Sequence, residues 1–330
     1  MPNKLEHGDT IGIISPSSPV AAYCPIRFKR SVKELQRLGF NIKIGKNALN
    51  KLGHLAGSVK ERAFDFNQMV KDPKVKMIIS TIGGYNSNQL IEHIDFQQIV
   101  ENPKIILGYS DFTSLLLAIN TKTGLTTYMG PSLLPQFGEY GGIDPFTFYW
   151  FNKMICSGDL NGKLLPSSRW TEEFLLWDKE DIRPKKYKIN PGYLTIKEGV
   201  AEGKVISGNM GAMLSLAGTQ YFPDFKDKIL FLEDDPEETP GSIDRYLTQF
   251  RHLEVYNKIT GLVIGRFHSN VGFSDDYPLS EIIIKATEGF NFPIIINADF
   301  GHTDPMATIP NGINAKLISS RGNSKIKFIN

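Results

Sequence analysis

Four short stretches hold the residue types from which acyl-transfer chemistry can be built. They are G-Y-S-D at 108–111, T-I-G-G-Y-N at 81–86, F-L-E-D-D at 231–235 and F-G-H-T-D-P at 300–305. Ser110 ends an apolar run and opens a stretch of helical character, so its hydroxyl sits over a sheet edge. The helix beneath it offers free N–H groups and a positive dipole end. A nucleophile elbow has that design, although this segment is not G-x-S-x-G. Serine or aspartate before a helix is also the ordinary N-cap choice, and the motif alone leaves both readings open. The Gly83-Gly84 pair lets backbone pass close to a ligand and can turn N–H groups into a pocket, as an oxyanion hole requires; an ordinary Gly-Gly turn has the same sequence. His302 supplies a base of suitable pKa for a serine, and Glu233, directly after an apolar strand, can orient an imidazole. The other histidines have less suggestive settings. Asp234, Asp235, Glu237 and Glu238 read as a solvated loop broken by Pro236 and Pro240.

These residues need elements to hold them. Thr10 to Ser15, Phe40 to Ile44, Val75 to Ser80 and Lys104 to Leu107 read as strands, with helical periodicity at Ile26 to Leu38, Ser58 to Val70 and Phe112 to Ile119. Strands spaced by helices mean β-α-β units and a mainly parallel sheet. A second series follows, with strands at Gly199 to Ser207, Lys228 to Leu232, Gly261 to Ile264 and Pro293 to Asn297 and helices between them. The fold class is therefore α/β: an N-terminal Rossmann-like domain over 1–150, a looser excursion with two tryptophans over 151–190, and a C-terminal α/β domain over 191–330. In such sheets ligands bind beyond the carboxyl ends of the strands. Neither G-x-G-x-x-G nor G-x-x-x-x-G-K-[ST] occurs, which argues against a nicotinamide cofactor or a P-loop nucleotide site.

Composition narrows the classes further. The 330 residues are 41% hydrophobic, with 37 basic against 35 acidic side chains, and a net charge of +2 gives no electrostatic reason for a nucleic acid polymer or an anionic membrane as partner. Cys24 and Cys156 stand far apart and suggest buried free thiols in a reducing compartment. The start lacks a signal-peptide pattern, and no window approaches about 18 continuous apolar residues. The expectation is a soluble cytoplasmic protein.

G-G-Y-N-S-N before G-Y-S-D, followed by F-L-E and G-H-T-D-P, resembles the LD-carboxypeptidase family of serine peptidases, and within it the microcin C resistance (MccF-like) branch. The resemblance runs from G-D-T-I-G-I-I-S-P-S to G-H-T-D-P. It implies that Ser110 is the nucleophile, His302 the base and Glu233 its orienter, with the backbone N–H groups of Gly84 and Asp111 as oxyanion donors. It also implies a homodimer, no metal and no cofactor. The expected reaction is hydrolysis of an amide through an acyl-enzyme, on a small peptide or peptide-nucleotide substrate.

In the MccF-like reading the bond joins an aspartyl carbonyl to the phosphoramide nitrogen of a nucleotide, which would detoxify a peptide-nucleotide antibiotic. Ser168 to Arg183 resembles the loop that covers such a substrate, so Trp170 or Trp177 could stack on the base; packing in the core or lid is the other role open to each. Asn209, at a predicted helix start, could bind a substrate carboxylate or cap the helix. The acids after Glu233 would repel a phosphate if they face the pocket. That keeps open a murein tetrapeptide LD-carboxypeptidase releasing terminal D-alanine, and, in a different class, a non-catalytic binding protein on the same fold.

Overall fold

The computed structural model describes residues 1–329. Its N-terminal sheet is built from β1 (Thr10–Ile14), β2 (Asn41–Ile44), β3 (Val75–Ser80), β4 (Ile105–Gly108) and β5 (Tyr128–Met129), which pair in parallel. The runs T-I-G-I-I, V-K-M-I-I-S and I-I-L-G are almost wholly buried, as strands covered on both faces must be. The helix Val59–Lys71 starts where the sequence places it: Ser58 and Glu61 form a reciprocal capping box.

Later strands build a second sheet. They are β6 (Gly162–Leu164), β7 (Arg169–Trp170), β8 (Lys188–Ile189), β9 (Leu194–Lys197), β10 (Gly199–Asn209), β11 (Lys228–Glu233), β12 (Gly261–Gly265), β13 (Ile294–Ala298), β14 (Ile309–Pro310), β15 (Asn314–Ser319) and β16 (Lys325–Ile329). Eight of these run in the order β6-β16-β15-β10-β11-β12-β13-β9, with a parallel centre from β10 to β13 and antiparallel margins. β14 crosses back to pair with β5 at the edge of the first sheet, and β7 with β8 forms a separate ribbon. β6 falls within 151–190 yet extends the second sheet.

The two sheets share their cores. Phe112, Leu115 and Leu116 pack in one buried cluster with Ile206, Met210 and Met213. At the seam Gly208 leaves room for Thr113: a Cβ there would lie 2.3 Å from Thr113 Cγ2. Thr113 Oγ1 accepts from the Asn209 N–H at 3.0 Å. The helix Thr113–Thr123, which begins just after Ser110, is thus wedged between the domains, and the carboxyl ends of β3, β4, β11 and β13 come to a common cleft. Among the described residues no helix is long and apolar enough to cross a membrane. Cys24 and Cys156 are free and half-buried rather than fully buried.

Candidate active site

β4 is a short apolar strand whose last residue, Gly108, leads through Tyr109 into Ser110. Ser110 has φ +61°, a left-handed backbone that costs a non-glycine residue energy. No side chain caps the helical turns that follow, and Ser110 Oγ has no hydrogen-bond partner among the described residues. Capping therefore does not explain the serine. The Gly83-Gly84 loop lies directly against it. A Cβ on Gly83 would stand 2.7 Å from both Ser110 Cβ and Oγ, and 3.2 Å from the Asp111 nitrogen. Gly84 has φ +145°, and its missing side chain leaves space taken by Ser17.

The loop after β1 pins this glycine loop. Ser17 Oγ accepts from the N–H groups of Tyr85 and Asn86 at 3.0 and 2.9 Å, and Ser18 Oγ donates to the Gly83 carbonyl at 2.9 Å. Asp111, buried, accepts from the Ser87 N–H at 2.8 Å, and burial raises its pKa. Arg62 is also buried and donates to the carbonyls of Pro16 and Asn86 and to Gln89 Oε1. The part played by Arg62, 46 residues from Pro16 in the chain, carried no sequence signal.

Glu233 closes β11 and is 1% exposed. Its Oε2 lies 2.5 Å from His302 Nδ1, while its Oε1 is buried with no partner among the described residues. Backbone packs tightly around it: a Cβ on Gly301, which has φ +100°, would lie 2.7 Å from Glu233 Oε2, and one on Gly265 would lie 3.0 Å from Glu233 Cβ. The Tyr109 ring packs on the imidazole with centroids 5.0 Å apart. At its other nitrogen, Nε2, His302 meets Asp235 Oδ2 at 3.3 Å. Burial alone would lower the His302 pKa; Glu233 foremost, with Asp235 and Asp234, overcomes it and pushes the value up to about 9.

Ser110 and His302 line one cavity of about 510 Å³, together with Gly83, Gly84, Tyr109 and Gln136. The excursion forms its outer wall through Thr171, Glu172, Glu173, Phe174, Trp177 and Lys185. Thr171 and Asp304 exchange backbone hydrogen bonds at 2.7 and 2.9 Å, which ties this wall to the His302 loop. At its far end Asp178 accepts from the N–H groups of Ile26 and Arg27, and Asp181 pairs with Arg27 and Arg30. The wall is thereby held on both domains.

The two tryptophans part company. Trp177 lines the cavity, with the Arg27 guanidinium 4.3 Å from its ring and Phe174 beside it. Trp170 does not reach the cavity: on β7 its ring is held between Arg266 at 4.6 Å and Lys188 at 4.1 Å. Asn209 is also outside the cavity. It caps the helix Met210–Leu214 through Ala212, and its amide donates to Asp234 Oδ1 at 2.7 Å, so both ends of the side chain are used. The acidic loop needs a correction too, because Asp234 is 4% exposed rather than solvated. Burial, reinforced by Glu233, raises its pKa to about 7.

Two further wall residues are fixed by their neighbours. His268 Nδ1 accepts from the Asn270 N–H at 3.0 Å, which leaves Nε2 to donate to the Glu172 carbonyl at 2.7 Å and fixes a neutral ring. Lys185 sits between Glu139 at 2.9 Å and Asp304 at 2.6 Å, and burial that would lower its pKa is outweighed by these carboxylates, which raise it. Among the described residues no group of three or more His, Cys, Asp or Glu could hold a metal ion.

Residues 11–130 match the LD-carboxypeptidase N-terminal domain and residues 202–317 the LD-carboxypeptidase C-terminal domain. The chain is 36% identical over 314 residues to the microcin C7 self-immunity protein MccF of Escherichia coli, covering 94% of this chain and 90% of that one. It is 31% identical over 322 residues to a probable murein peptide carboxypeptidase of Bacillus subtilis (strain 168), covering 96% and 91%. A structure of MccF in complex with glutamyl sulfamoyl guanosine superposes with TM-score 0.92 at 32% identity, covering 100% of this chain and 98% of that one. Two domain matches in order, over a fold with the same two-sheet arrangement, place this chain in the LD-carboxypeptidase family, Peptidase_S66.

Proposed function

We propose that the protein is a serine peptidase whose preferred substrate is an aminoacyl or peptidyl nucleotide. The observation that carries the catalytic part is the 2.5 Å contact of Glu233 with His302 Nδ1, at a cavity whose other wall presents Ser110 under the Gly83-Gly84 loop. Ser110 Oγ attacks the acyl carbonyl, and His302 takes its proton at Nε2. The N–H groups of Gly84 and Asp111 receive the oxyanion. His302 then returns the proton to the leaving amine, and water hydrolyses the acyl-enzyme by the same relay. Each step uses groups of this protein and water, and no cofactor is needed to balance it. The protein would act as a cytoplasmic homodimer in detoxifying such compounds.

The nucleotide part of the reading rests on Trp177, an aromatic face in a cavity wall that is clamped to both domains. Base stacking on an aromatic side chain is worth about 1–3 kcal/mol. Trp177→Ala is therefore expected to raise KM for an aspartyl phosphoramide adenylate by about tenfold or more, with kcat little changed. Steady-state kinetics on that substrate and on a murein tetrapeptide checks it, because loss of the ring should matter for the first alone.

A murein peptide is the second reading. It is favoured by the carboxylates of Asp235 and Glu237 along the cavity, which have no Lys or Arg partner among the described residues and oppose an extra phosphate. Mass spectrometry of both substrates after incubation decides between them. Release of the nucleotide amine alone supports the first reading, and release of D-alanine alone supports the second. Cleavage of neither, with tight binding of one, would favour a non-catalytic binding protein.

A further inference from the structure

The His302 ring has a carboxylate at each nitrogen, hydrogen-bonded at Nδ1 and at ion-pair distance from Nε2, and the second is on the wrong atom for a resting base. Asp235 Oδ2 occupies Nε2, where the Ser110 proton has to arrive. The carboxylate is aimed there by its own turn, since Asp235 Oδ1 accepts from the Glu237 N–H at 2.8 Å. Its neighbours in the cavity are neutralised differently. Glu172 pairs with Lys188, Glu173 with Arg183 and Asp304 with Lys185. Asp235 has no Lys or Arg partner among the described residues, and its ionic partner is His302 itself. Glu237 beside it accepts from the Tyr85 hydroxyl at 2.8 Å, again with no cation.

We propose that Asp235 is a gate on His302: it holds Nε2 in the resting enzyme and releases it when an ammonium on the acyl residue of the substrate takes the carboxylate. The inference rests on the serine-peptidase reading above and narrows its substrate class to acyl residues with a free amine, so that aminoacyl nucleotides are cleaved in preference to peptidyl ones. Charge balances in the exchange. The substrate brings one positive charge to Asp235, the Nε2 proton passes to solvent water, and the imidazole becomes the neutral base that Ser110 requires. A substrate without the amine leaves the carboxylate on the ring and the base blocked.

The surroundings of His302 agree with this. Glu233 and Asp234 face it from the end of β11, Asp235 from the following loop, Tyr109 from the end of β4, and Asp304, paired with Lys185, from its own loop. Burial opposes the charged ring, yet the carboxylates prevail and hold it protonated at neutral pH. Removing the Asp235 charge takes away an anion that favours the cation, so the His302 pKa must fall.

The test compares an aspartyl phosphoramide adenylate with its N-acetyl counterpart, using the wild-type protein, Asp235→Asn and Ser110→Ala. The wild type should prefer the free amine by about tenfold or more in kcat/KM, the worth of a hydrogen bond to a charged group. Asp235→Asn should bring the two substrates within about twofold, chiefly by faster cleavage of the N-acetyl compound, and should move the rising limb of kcat/KM to lower pH. Equal wild-type rates, or a preference and pH limb unchanged in Asp235→Asn, would overturn the gate. Full turnover by Ser110→Ala would instead overturn the serine reading. NMR titration of the His302 ring needs no turnover, and an unchanged His302 pKa in Asp235→Asn also overturns the gate.

Discussion

Ser110→Ala is expected to lower kcat by about 10⁴- to 10⁶-fold on whichever amide the protein cleaves. What remains would come from binding and from the oxyanion donors. The fold should tolerate the change. Ser110 Oγ has no partner among the described residues, so removing it orphans nothing, and alanine accepts φ +61° at a cost similar to serine. A stability change within about 1 kcal/mol follows, measurable by thermal denaturation. The combination is diagnostic, since loss of turnover with intact stability and intact substrate binding identifies a group that acts in the reaction. Retained turnover would mean that the strained backbone at Ser110 serves some other purpose. Gly83→Ala probes the same contact from the opposite side. Its methyl would stand 2.7 Å from Ser110 Oγ, and the serine must then move or the loop must lift.

Much of this site was legible because parallel sheets place chemistry at strand ends. Ser110, Glu233 and His302 each follow an apolar run, and a run that stops on a polar residue marks the carboxyl edge where ligands bind. The central strands were legible for the same reason, being continuous apolar segments bounded by turn residues. The antiparallel margins were harder. β5 and β14 are two residues long, too short for any periodicity, and they pair across most of the chain. β16, K-I-K-F-I, does alternate, but alternation alone does not name β15 and β6 as its partners.

Side-chain direction and long-range pairing account for the remaining differences. Trp170 and Trp177 look equivalent in sequence, yet register sets Trp170 opposite Lys188 on the β7–β8 ribbon, while Trp177 is turned inward beneath Arg27. Asn209 showed both its possible roles, and the amide was committed to the helix start by Asp234, a residue whose burial cannot be inferred from a run of acids. Asp235 is indistinct in the sequence for the same reason. Its carboxylate is one of several in E-D-D-P-E-E, and only the approach of the His302 loop from the far end of the chain distinguishes it.

Glu233→Gln should cost nearly as much as loss of the serine, about 10⁴-fold in kcat, although it changes one atom. Glu233 Oε2 accepts from Nδ1, and Oε1 is buried without a partner among the described residues. A glutamine amide has two orientations in that slot and neither serves. With its oxygen toward Nδ1, the NH₂ group enters a buried position that offers no acceptor, a penalty of about 1–3 kcal/mol. With its nitrogen toward Nδ1, the imidazole must carry its proton on Nε2 and cannot accept from Ser110. Stability would change its pH dependence as well. The His302 pKa, raised from 6.5 to about 9 in the folded protein, contributes stability that is fully present below about 6.5 and is lost as pH rises through about 9. Without the Glu233 charge most of that decline should vanish, so Tm measured between pH 6.5 and 9 should flatten in the variant. If kcat collapses while the Tm profile keeps its wild-type slope, the carboxylate orients the ring without charging it. If Tm flattens and kcat survives, His302 is a structural partner of Glu233 and the base lies elsewhere.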